Sequence, residues 1–219
     1  MGQQYAVIGL GPFGASIFRN LRQMEHEVLG IDHDEDLTQD LSAEMPDAHL
    51  VAADATERST LQDLGVDQFD GAVVSTNSLE ANILVTQTLK DLGVPMVMAR
   101  AQNPLHARVL ERLGADYLVQ PEKEFGELAA RRLVYPGTLY YLQLGEDEAL
   151  IEVEVPTEWV GKSISDLHLY RTSGLTVLAH KSRGRRGNIP KGDYTLQEED
   201  VLVIGGSKED IDKSDLWKR

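Results

Sequence analysis

Tyr5-Ala6-Val7-Ile8-Gly9-Leu10-Gly11-Pro12-Phe13-Gly14 decides the fold, together with Val28-Leu29-Gly30-Ile31-Asp32, which answers it. A short apolar run enters three glycines spaced G-x-G-x-x-G. A second apolar run ends in an acidic residue 18 positions beyond Gly14. That order outlines a dinucleotide-binding βαβ unit. Gly9 permits the tight turn out of the first strand, Gly11 lets backbone approach a phosphate, and Gly14 lets the next helix lie close to the sheet. The start of that helix offers free N–H groups and a positive dipole to phosphates.

Asp32 is expected to accept hydrogen bonds from both hydroxyls of an adenosine ribose. His33, Asp34, Glu35 and Asp36 follow, with no arginine to neutralise a 2′-phosphate, so NAD(H), ADP, AMP or ATP is favoured over NADP. Asp34 to Asp36 also suit a solvated turn and helix cap. Pro12 has no N–H, which removes one donor from the phosphate nest, and it also suits a first helical turn.

Outward from this motif, residues 4 to 120 alternate strand and helix. Strands are expected at Ala6–Gly9, Val28–Asp32, His49–Ala52, Gly71–Ser75, Met96–Ala99 and Tyr117–Val119. Helices are expected at Pro12–Met24, Leu37–Ala43, Glu57–Leu64, Leu79–Leu92 and Pro104–Leu113, the first with an apolar face of Phe13, Ile17, Leu21 and Met24. Gly65, Gly93 and Gly114 stand where helices should stop. Short apolar strands and right-handed crossovers give an α/β fold, a Rossmann-like doubly wound parallel sheet.

Ligands in such a sheet bind at the carboxyl ends of the strands. Asp54, Ala55 and Thr56 follow the third strand there, Thr56 also as the expected cap of the next helix. Ser75, Thr76 and Asn77 end the fourth strand, and Arg100, placed to reach phosphates, ends the fifth. The candidate nucleotide site is therefore Gly9, Gly11, Pro12, Phe13, Gly14, Asp32, His33, Asp54, Ala55, Thr56, Ser75, Thr76, Asn77 and Arg100.

The three regions expected are a Rossmann nucleotide-binding domain at 1–120, a crossover helix and linker at 121–144, and a small α+β C-terminal domain at 145–219. Pro136-Gly137 ends the crossover helix, and Gly126 and that break are candidate hinges. In the last region Ala149–Val155, Leu175–His180 and Val201–Ile204 read as strands, Gly184 to Gly187 as a basic hairpin loop, and Ser207–Leu216 as a closing helix.

With 21 basic and 36 acidic residues the formal charge is −15, which argues against nucleic acid as a partner. No cysteine is present, so disulfides and thiolate catalysis are excluded. The apolar runs fall short of the roughly 20 residues a membrane helix needs, so service to a membrane is expected through a partner. The six histidines show no H-x-x-x-H spacing and no catalytic pattern.

Further motifs occur in a fixed order. They are Lys90-Asp91-Leu92-Gly93-Val94-Pro95, Ala101-Gln102-Asn103, Leu113-Gly114-Ala115-Asp116, Pro121-Glu122-Lys123, Val160-Gly161-Lys162-Ser163-Ile164, Asp166-Leu167 and Glu199-Asp200-Val201-Leu202-Val203-Ile204-Gly205. With the glycine motif they resemble the regulator-of-conductance-of-K⁺ (RCK/KTN) family, and most of all the Ktr/TrkA-type cytosolic subunits of bacterial potassium uptake systems. The resemblance implies a dimerising crossover helix at 121–134 and dimers assembled into an octameric ring. The ring would sit in the cytoplasm, at the inner face of the membrane, under a K⁺ channel or transporter subunit. Nucleotides bound in the N-domain would gate that partner. The resemblance further implies a divalent cation at Glu122 and cyclic di-AMP near Ile164, Leu167 and Arg171. Ktr-type relatives often carry arginine where this chain has Pro12, which weakens the case for ATP selectivity. The alternatives are the regulatory subunit of a K⁺/H⁺ antiporter and an NAD-dependent oxidoreductase. The second lacks a recognisable catalytic group after residue 120.

Overall fold

The computed structural model describes residues 2–134, 138–182 and 187–214. The chain divides into two compact units, Met1–Glu122 and Lys123–Arg219. In the first, six strands lie in the order β3-β2-β1-β4-β5-β6, all parallel. They are β1 Gln4–Ile8, β2 Glu27–Asp32, β3 His49–Ala52, β4 Gly71–Val74, β5 Val97–Arg100 and β6 Tyr117–Val119. The helices are α1 Pro12–Gln23, α2 Glu35–Glu44, α3 Arg58–Asp63, α4 Leu79–Asp91 and α5 Pro104–Arg112. The strand order reverses between β1 and β4, and that switch point is where this architecture opens a crevice.

Alternate residues of β1 feed opposite faces of the sheet. Ala6 and Ile8 join a core with Ile31, Val74 and Leu89, whereas Val7 joins Phe18, Val28 and Leu41. Gly65, Gly93 and Gly114 all carry positive φ just past helix ends, as their positions required.

Three expectations are corrected here. Of the expected apolar face of α1, Ile17 and Leu21 pack against the core, but its fully buried residues are Gly14, Ala15 and Phe18, and Met24 is exposed. Close approach to the sheet selects the small residues and one aromatic, and leaves Phe13 at the mouth of the crevice. The cap of α3 is Glu57, not Thr56, with no side-chain bond. Thr56 instead donates to Asp54. The third correction concerns the linker, as Thr138–Leu144 is a strand of the second unit.

That second unit begins within α6 (Pro121–Val134) and holds an antiparallel sheet in the order β7-β8-β10-β9. Its strands are β7 Thr138–Leu144, β8 Glu148–Glu154, β9 Thr176–Ser182 and β10 Asp200–Ser207. Between β8 and β9 runs the short helix α7, Leu169–Ser173. The closing helix is α8, Lys208–Lys213, capped by the Ser207 hydroxyl accepting from the Asp210 N–H. Ala149, Ile151 and Val153 of β8 turn inward with Leu202, Ile204 and Ile211. Pro136-Gly137, the charged core of the 184–187 loop and the end of the expected closing helix lie outside the described residues.

Asp200, only 1% exposed, pins the entrance to β10. It accepts from the Ser182 hydroxyl (2.7 Å), the Tyr194 hydroxyl (2.8 Å) and the Gln197 N–H (2.9 Å). Burial alone would raise its carboxyl, but the bonds from Ser182, Gln197 and Tyr194 outweigh burial and hold it below the ordinary carboxylate range. Its contribution to stability is therefore present at neutral pH and lost as pH falls through that lowered value. Asp200→Ala is expected to cost about 2 kcal/mol in urea unfolding at neutral pH, with a smaller difference from wild type in acid.

Candidate nucleotide-binding cleft

A cavity of about 460 Å³ opens at the carboxyl ends of β1, β2 and β4. That volume lies within the range of small-ligand sites. Every residue proposed for the nucleotide site lines it except Gly14, which sits behind the glycine turn. Leu37, Ser78 and Ala81 also line it. Nothing in their spacing marked them, since their placement follows only from how α2 and α4 begin.

The turn from β1 into α1 is held by its neighbours. Gly9 has φ +92°, a left-handed conformation that an L side chain resists. Its N–H donates to the Ile31 carbonyl (2.8 Å), and the Ser75 hydroxyl donates to the Gly9 carbonyl (2.6 Å). Ser75 thus braces the loop as well as lining the cleft. Gly11 is the N-cap of α1, and no side chain caps the helix. The first helical N–H groups have no acceptor within the helix, and Pro12 has none to give, which leaves Phe13 and Gly14 as the donors of that turn.

Asp32 is 7% exposed at the end of β2. Its Oδ2 accepts the Leu10 N–H (2.6 Å) and its Oδ1 the Asp34 N–H (3.0 Å). His33, highly exposed, places Nδ1 3.1 Å from Oδ1. A carboxylate offers about four acceptor sites, so Asp32 both ties the glycine loop to β2 and keeps capacity for ligand hydroxyls. Asp34 lines the cavity as well and caps α2, its side chain accepting the Asp36 N–H (2.9 Å). The Thr56 hydroxyl (2.7 Å) and N–H (2.9 Å) both donate to Asp54 and hold its carboxyl below the usual value. An anionic Asp54 disfavours phosphate at that end and suits a donor such as an adenine amino group.

At the opposite end Arg100 donates from Nη1 to Asn77 Oδ1 (2.6 Å) and from Nη2 to Glu122 Oε1. The Gln102 amide donates to the Asn77 carbonyl (2.5 Å). Asn82, buried on α4, donates to the Arg100 carbonyl (3.2 Å) and so fixes the end of β5. An adenine nucleotide fits this donor set. A Cβ added at Gly11 would meet no atom within 4 Å, so bare backbone faces the cleft, and Arg100 Nε is buried without a partner.

The remaining expected residues lie elsewhere. Glu122 stands on the first turn of α6 against Arg100. In the second unit, Ile164 and Leu167 pack against the core and Arg171 is exposed on α7.

Residues 5–121 match the TrkA-N domain and residues 149–214 the TrkA-C domain. The chain belongs to the TrkA-N/TrkA-C family. One relative, the Ktr system potassium uptake protein A of Bacillus subtilis (strain 168), is 37% identical over 210 residues, 95% of this chain and 94% of its own length. Among solved structures, the GsuK channel superposes on all of this chain with a TM-score of 0.72 at 21% identity, over 40% of its own length. GsuK bound to ADP matches 60% of this chain at 26% identity, over 34% of its own length, with a TM-score of 0.53. The TrkA-type chain thus spans less than half of each channel polypeptide. No described helix is long and apolar enough to cross a membrane.

Proposed function

We propose that this chain is the nucleotide-sensing regulatory subunit of a bacterial potassium uptake system. Its cleft binds ADP, ATP or NAD(H) as a signal, not a reactant, and occupancy shifts the shape of a ring that gates a membrane-embedded partner. The observation that carries this is the cleft itself. A bare glycine backbone at a helix start, Asp32 at the end of β2 and Arg100 at the end of β5 surround one cavity. The match to a potassium uptake protein along nearly the whole chain supplies the biological context.

The first unit's own residues bind and orient. The helix start and Arg100 take phosphate, Asp32 takes ribose hydroxyls, and Asp54 faces the adenine end. A divalent cation at Glu122 and cyclic di-AMP near Ile164, Leu167 and Arg171 belong to the same reading. Gating requires that the nucleotide bind two ring shapes with different affinity, because a ligand shifts an equilibrium only by that difference.

Parallel titration with ADP, ATP, NADH and cyclic di-AMP, with light scattering of each sample, tests this. Because Pro12 withholds a donor from the phosphate nest, ADP or NADH is expected to bind at least as tightly as ATP. The particle is expected to exceed a dimer in mass. A monomer that binds no nucleotide contradicts the proposal, and ATP far tighter than ADP contradicts the role given to Pro12.

A further inference from the structure

Arg100 is shared between the cleft and helix α6. Among the residues lining the cavity it is the sole lysine or arginine, set against Asp32, Asp34 and Asp54. A phosphate entering such surroundings needs this cation. Yet the guanidinium already has an anionic partner, Glu122, on the first turn of α6. The two sides differ in how tightly they are held. The Arg100 side chain is 16% exposed, steadied by Asn77, whereas that of Glu122 is 64% exposed. Arg100 Nε also lies buried with no acceptor, so the present partners leave part of its donor fork unused.

We propose that Glu122 is a built-in competitor for Arg100, displaced when a nucleotide phosphate enters the cleft, so that phosphate binding and the Arg100–Glu122 ion pair exclude one another. The inference rests on the nucleotide reading of the cleft and adds the regulation of that site. Arg100 is anchored through the Asn82 bond to its carbonyl and the Asn77 bond to its side chain, so the exposed Glu122 is the partner that gives way. A phosphate offers the fork more acceptor oxygens and more charge than one carboxylate. On displacement, the first turn of α6 loses its tie to the end of β5. The occupancy of the cleft is thereby written onto the helix that leaves the first unit.

The competition has a signature that a plain structural role lacks, since the two partners of one ion pair act with opposite sign. In the full-length chain, with chelator present to remove divalent cations, calorimetry with ADP and with adenosine separates phosphate from nucleoside binding. Arg100→Gln is expected to weaken ADP roughly tenfold or more and leave adenosine unchanged. Glu122→Gln is expected to tighten ADP roughly two- to fivefold, the range for an exposed ion pair, again with adenosine unchanged. Adding Glu122→Gln to Arg100→Gln is expected to bring no tightening. Glu122→Gln is an exposed, near-isosteric change, so it stays informative even if Arg100→Gln folds poorly. ADP affinity that is unchanged or weakened in Glu122→Gln overturns the competition while leaving the nucleotide site intact. Wild-type protein that binds neither ligand overturns the nucleotide reading and the competition with it.

Discussion

Gly14→Ala is expected to destabilise the first unit by about 3 kcal/mol and to abolish measurable ADP binding. On an ordinary helix the same substitution gains up to about 1 kcal/mol, because alanine is the better helix former. Here sterics decide the sign. A Cβ at Gly14 would stand 1.8 Å from the Gly9 carbonyl oxygen and 2.4 Å from the Ser75 hydroxyl. The nearer group is backbone in a turn already committed to φ +92°, so α1 must move away from β1. That movement breaks the Ser75–Gly9 bond and displaces the helix start from the cleft. Gly11→Ala supplies the contrast. With no atom within 4 Å of the added carbon, its melting temperature is expected to stay at the wild-type value, while ADP affinity falls roughly tenfold because the methyl group occupies phosphate space. Denaturation curves and titrations of the two variants side by side check the pair. A Gly14→Ala protein as stable as wild type would show that the close approach of α1 to β1 is not required.

Asp32→Ala is expected to lower affinity for adenine nucleotides about a hundredfold and stability by about 2 kcal/mol, because one side chain serves two masters. The stability loss comes chiefly from the buried Leu10 N–H, which loses its acceptor, with a smaller share from the N–H of the exposed Asp34. The affinity loss comes from the ribose hydroxyls and from a glycine loop no longer tied to β2. Asp32→Asn separates the two effects. It keeps the shape and one carbonyl oxygen, so it should recover more of the stability than of the affinity. Equal recovery of both would mean that Asp32 acts on the ligand only by holding the loop.

How much of this was legible in the residues follows from the range of the interactions involved. The glycine motif and the acidic end of the second strand are local patterns, and they placed β1, α1, β2 and most of the cleft. The β-then-α alternation placed the parallel sheet, since crossover geometry leaves few topologies. Asn82 and Ser75 were harder. Asn82 sits where an apolar helix residue would be expected, and its work is to hold the carbonyl that ends β5, a contact 18 residues away. Ser75 read as a ligand neighbour, but its hydroxyl also braces a turn 66 residues earlier. Thr56 misled because a threonine before a helix suits a cap, whereas Asp54, two residues back, captured both its donors. Thr138–Leu144 was hidden by its place at the sheet edge, where the exposed face carries Tyr140, Leu142 and Leu144, so both faces are apolar and the sequence shows no polar–apolar alternation. The Arg100–Glu122 pair joins a strand end to a helix start, and no spacing rule connects them.

Calorimetric titration of ADP into the purified chain, with the ligand recovered and analysed afterwards, tests most directly whether the cleft serves as a sensor. Saturable binding with ADP recovered unchanged is the expected result. No saturable heat, or ADP consumed during the titration, would contradict it.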